Sequence, residues 1–108
     1  MQGDAKILEA LNDVLTAELT AINQYFIHHK MCENWGYDVL AKHARHEALD
    51  EMKHADTIIE RIMFLDGNPN MAEHGKIMIG PDVRRQLQND LDLARAALKV
   101  LEPGNGLA

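Results

Sequence analysis

The chain has 108 residues, enough for one domain with a thin core and too few for two. Its 17 acidic and 11 basic residues give a formal charge of −6, which argues against a nucleic-acid partner, since phosphate backbones call for a basic face. Few aromatics among many aliphatic and methionine residues favour helices over sheets, and the lone Cys32 rules out an internal disulfide and fits a reducing, intracellular setting.

Met1-Gln2-Gly3-Asp4 opens without a charged-then-apolar leader. No apolar run reaches the roughly 20 residues of a membrane span, so a cytoplasmic location away from membranes is expected. Asp4 is an N-cap candidate for a first helix running to about Asn34, with Ile7, Leu8, Leu11, Val14, Leu15, Leu19, Ile22 and Phe26 at helical spacing. Trp35-Gly36 breaks that pattern, the glycine suiting a helix C-terminus. A second helix follows from near Tyr37 to about Leu65, and so short a link predicts two antiparallel neighbours. Asp66-Gly67-Asn68-Pro69-Asn70 closes it with turn residues. The stretch from there to Pro81 is too long for a hairpin link and predicts a crossover along a bundle. Pro81-Asp82 starts a third helix to about Leu101, with Val83, Leu87, Leu91, Leu98 and Leu101 as its expected apolar side. Pro103-Gly104-Asn105-Gly106 stops it. Residues 1–108 thus read as one all-α domain, an up-down helical bundle with a long crossover whose fourth helix is missing.

Two helical stripes carry the chemistry. Ile7, Leu11, Val14, Glu18, Ala21 and Tyr25 align on the first helix; Tyr37, Leu40, Ala44, Glu47, Glu51, His54, Ile58 and Leu65 align on the second. Both stripes are apolar at their ends and carry acid or imidazole in the middle, where no Lys or Arg stands. Carboxylates on a core stripe need positive company. Any one of these residues alone reads as a group flared to solvent. Glu18, Glu51 and His54 fall at one level of the hairpin, and together they read as a site for iron, manganese or zinc. His46 and Asp50, at i and i+4, form a second pair open to a weak metal contact, while His28-His29, His43 and His74 read as surface or interface residues. Met52 points away from Glu51, beside Arg45, Ala48, Leu49, Ala55 and Ile59. With Leu8, Leu15, Leu19, Ile22 and Phe26 on the first helix, that face is expected to meet a partner chain, the two alanines leaving room for a close neighbour or a flat ligand. Spacing alone makes Met52 an ordinary interface methionine.

The segments Leu19-Thr20-Ala21-Ile22-Asn23-Gln24-Tyr25-Phe26 and Asp50-Glu51-Met52-Lys53-His54-Ala55-Asp56 resemble bacterioferritin, as do Glu60-Arg61-Ile62, Phe64-Leu65, Ile79-Gly80, Asp82-Val83 and Asp90-Leu91. The resemblance covers residues 1 to about 93. It implies a ferritin-like fold whose subunits pair and assemble into a hollow iron store. It implies that Glu18 and His54 ligate one iron of a di-iron ferroxidase site, that Glu51 bridges to the second, and that Tyr25 lies close by. It also implies that Met52 is the axial ligand of haem b, facing the same residue of a second subunit. Two departures follow. Ala94 stands where the family pattern places a glutamate, and the fourth helix, with the second Glu-x-x-His, is missing, so half of the iron ligands are expected here. Fe(II) oxidation is then expected only where another chain supplies the rest, as a second copy packed core face to core face in a homo-oligomer would. The alternatives are a non-catalytic haem-binding subunit paired with a full-length bacterioferritin subunit in a mixed oligomer, and a degenerate remnant.

Overall fold

The computed structural model describes the backbone of residues 3–100 and the side chains of residues 3–98. Three helices stand among the described residues, and no strand: α1 (Ala5–Asn34), α2 (Asp38–Phe64) and α3 (Val83–Val100). The expected stop at Pro103-Gly104-Asn105-Gly106, the place of Leu101, and with them the missing fourth helix, lie outside the described residues.

Helix α1 begins where the sequence places it. Asp4 adopts extended backbone and its side chain accepts the Lys6 N–H at 2.7 Å, satisfying one of the amides that a helix start leaves free. Its end is closed by Gly36, which sits at φ +83°. That left-handed turn lets the Tyr37 N–H reach back to the Cys32 carbonyl at 2.9 Å. Glycine suits the position because a Cβ is strained there. Asp66, at φ +59°, plays the same part after α2, with the Gly67 N–H donating to the Ile62 carbonyl at 2.9 Å. The Gly3 N–H meets the Leu65 carbonyl at 3.0 Å, which ties the open end of the α1–α2 hairpin.

The hairpin core is Leu11, Leu15, Ala55 and Ile62, with Leu8, Leu19, Ile22, Ile58 and Ile59 packed on it. Of the expected partner face, Ala48, Ala55 and Leu15 are buried within the chain, because the small residues let α1 approach α2. Met52 stays at the surface, 52 % exposed. A second cluster joins Ala21, Tyr25 and Ala48 to Leu93 of α3. Ile7 and Tyr37, at the ends of the expected stripes, are exposed.

Helix α3 also departs from expectation. Leu87, Leu91 and Leu98 are exposed, whereas Gln86 and Asn89 are buried. The reason is the crossover, which fills the space beside α1 and offers its backbone for hydrogen bonding. Gln86 Nε2 donates to the Gly80 carbonyl at 3.1 Å, and Asn89 Nδ2 donates to the Met78 carbonyl at 3.1 Å. The polar face of α3 therefore turns inward. Along α1 a ladder at multiples of four residues receives the crossover. Asn12 Oδ1 accepts the Asn70 N–H at 2.7 Å, Thr20 Oγ1 the Gly75 N–H at 2.6 Å, Gln24 Oε1 the Met78 N–H at 2.9 Å, and His28 Nε2 the Gly80 N–H at 2.9 Å. An extended segment without a strand partner must satisfy its amides somewhere, and here it does so on one helix face.

Candidate metal centre

Glu18 comes from the middle of α1, and Glu51 and His54 from successive turns of α2. One ligand atom from each lies within 4.8 Å of the other two. The His54 Nδ1 is 3.4 Å from Glu51 Oε2 and 3.6 Å from Glu18 Oε2. The hairpin turn sets this meeting, because it places position 18 and positions 51 to 54 at the same height on antiparallel helices. Glu18 and Glu51 are partly sheltered, with side chains 18 % and 23 % exposed, while His54 is 60 % exposed. Glu18 Oε2 is buried and has no hydrogen-bond partner among the described residues. A buried carboxylate oxygen without a donor is costly unless a cation reaches it. Two carboxylates and one imidazole form a donor set suited to a divalent first-row metal.

Two turns along α1 from Glu18, Tyr25 is buried against Ala21 and Ala48. Burial first, then the charges of Glu47 and Asp90, push its phenol up to about 12. Glu47 is itself raised, chiefly by burial and further by Asp90 and Asp50, with His43 at 2.8 Å acting the other way. The region between the three helices is thus acidic and partly dry.

Ala94, where the sequence pattern expects a glutamate, is exposed and supplies no ligand. His46 and Asp50 pair across one turn at 3.4 Å on the open face of α2. Met52 lies on that face too, along a shallow depression with Leu49, Lys53 and Asp56. His43 and His74 are exposed as read from the sequence. His28 and His29 are not: both are buried, His28 between Asp90 and Gly80, and His29 through Nδ1 donating to the Ala41 carbonyl at 2.7 Å. The ladder that His28 belongs to was not singled out from the sequence, although the four-residue steps Thr20, Gln24, His28 were there to be seen.

A helical hairpin with a carboxylate–histidine group at mid-height, followed by a long crossover and a third helix, defines a class of protein. Residues 8–108 match the ferritin-like domain, and the chain belongs to that family. Within it the chain is similar to bacterioferritins. It is 51 % identical over 104 residues to bacterioferritin BfrA of Mycobacterium tuberculosis, covering 96 % of this chain and 65 % of that relative. Identity is 47 % over 100 residues to the bacterioferritin of Rhodobacter capsulatus, covering 93 % and 62 % of the two chains. For the bacterioferritin of Streptomyces coelicolor it is 44 % over 104 residues, covering 96 % and 62 %. The chain spans just under two thirds of the length of these relatives. No described helix is long and apolar enough to cross a membrane.

Proposed function

We propose that the chain is an iron-handling protein of bacterioferritin type, which takes up Fe(II) at Glu18, Glu51 and His54 and serves iron storage in the cytoplasm as part of an oligomer. One observation carries the reading: the orphaned Glu18 Oε2 lies beside a second carboxylate and an imidazole that can share a cation with it. Iron is the substrate here. His54, the most open of the three, is placed to meet an arriving ion, and Glu18 and Glu51 neutralise its charge. Anionic ligands favour the ferric state, so the same pair eases the loss of an electron. Oxidation of two Fe(II) ions, one electron from each, needs further ligands beyond these three. In this reading they come from outside the described residues or from another chain.

A site rebuilt from two copies, core face to core face, is less well supported. Helix α3 occupies that face through Leu93, through Asp90 bonded to Gln24 and His28, and through Gln86 bonded to Cys32, contacts that would have to break. Haem fits only in outline. Met52 presents a thioether at an open surface and would be the residue to hold a haem between two copies, where the haem would supply one-electron transfer.

Anaerobic titration with Co(II), followed by its visible bands, tests the metal site. Binding of one ion per chain, weakened at least about tenfold in Glu18→Gln and in His54→Ala, supports the reading. Equal binding in wild type and both variants would sink it.

A further inference from the structure

We infer that His28 is an acid-sensitive latch, whose protonation unseats the crossover at Gly80 and with it the start of α3. The side chain is 1 % exposed and lies between two partners of opposite demand. Nδ1 lies 3.0 Å from Asp90 Oδ1, and Nε2 lies 2.9 Å from the Gly80 backbone nitrogen. A backbone N–H can only donate, so Nε2 carries no proton and the ring proton sits on Nδ1, donating to Asp90. Protonation leaves the Asp90 bond as it is. It turns Nε2 from an acceptor into a donor aimed at another donor, and the Gly80 contact becomes repulsive.

The titratable groups around the ring are Cys32 of α1, His43 and Glu47 of α2, and Asp90 of α3, which line one small cavity with it. On the α3 side the ring meets an acceptor, Asp90 Oδ1, and on the crossover side a donor, the Gly80 N–H. Acid therefore sets the ring against the crossover, not against α3. On the crossover side the Gly80 carbonyl is engaged with Gln86 Nε2.

Gly80 passes the change on. A Cβ at this position would run into the backbone of Gln86, so the crossover is seated directly on the first turn of α3. The neighbouring Met78 carbonyl accepts Asn89 Nδ2. Displacing Gly80 thus loosens both strands of the attachment between the crossover and α3. Trp35, the single tryptophan, shares an open cleft with Pro81, Asp82 and Val83, and reports on that attachment.

The experiment is a titration of the whole chain from about pH 8 to about pH 5, the range in which histidines change charge. Trp35 emission and Gly80 amide exchange, corrected for the intrinsic pH dependence, are followed in wild type and in His28→Gln, which keeps an acceptor and does not titrate. The expected result is a one-proton transition in wild type that shifts Trp35 emission and speeds Gly80 exchange about tenfold or more, the loss of one buried hydrogen bond. The variant should stay flat. A Gly80 amide that remains protected throughout, or an identical transition in His28→Gln, overturns the latch. Should the variant fail to fold, the ring nitrogens of wild-type His28 decide by NMR. Nε2 gaining its proton in step with the Gly80 change upholds the latch, and protonation without that change refutes it.

Discussion

Glu18 shows how a candidate ligand works against its own fold. Its buried Oε2 has no donor among the described residues, so the metal-free chain carries a desolvated charge at mid-helix. Glu18→Gln should therefore stabilise the protein in chelator by about 1 kcal/mol, read from urea unfolding, while abolishing metal-dependent stabilisation. Tyr25 gives a second handle. The unfolded phenol ionises near 10 and the folded one near 12, so the folded state holds the extra proton between these values. Stability should be unaffected by this group below pH 10 and fall as pH rises from 10 to 12, a loss that Tyr25→Phe removes in a pH series of thermal melts. The contrast between legible and illegible residues is physical. Glu18, Glu51 and His54 stood out because they interrupt apolar stripes. Thr20, Gln24 and His28 did not, because polar groups four apart describe a solvated face equally well. Only the path of the crossover turns that face inward.

At the level of elements, the hairpin and α3 are held by different forces. The hairpin rests on buried hydrocarbon: Leu15→Ala should cost about 2–5 kcal/mol in chemical unfolding, whereas Leu98→Ala, at an exposed site, should change stability by less than about 0.5 kcal/mol. Gly36→Ala should cost about 1–2 kcal/mol, since it places a Cβ in the left-handed region. The boundaries of α1 and α2 were readable to within a residue or so from Asp4, Trp35-Gly36 and Asp66-Gly67, because capping and turn chemistry are local. The facing of α3 was not. Its leucines promised an inward apolar side, yet Gln86 and Asn89 donate to carbonyls of the crossover and Asp90 accepts from the Gln24 side chain, far away in sequence on α1.

The described molecule measures 49 × 23 × 20 Å, a long hairpin with one shorter helix laid along it. Its outer face carries Leu87, Leu91 and Leu98 together on α3, apolar surface of the kind that associates. Lysine at all three positions should leave helix content by circular dichroism unchanged and lower the mass seen by light scattering at high concentration. The all-α class, the antiparallel pair and the crossover were evident in hydrophobic period and turn residues, while the polar seam that joins them needed three dimensions. The turn at Gly36 has one more consequence. It lies about 27 Å from the carboxylate of Glu18, at 1.5 Å per helical residue, and acts as the fulcrum that sets where the two arms meet. A single residue inserted into one arm between the turn and these positions would slide that arm by about 1.5 Å and rotate it by about 100°, parting Glu18 from Glu51 and His54 without touching any of them. The spacing of these residues from that turn is therefore as much a part of the candidate metal centre as its donor atoms.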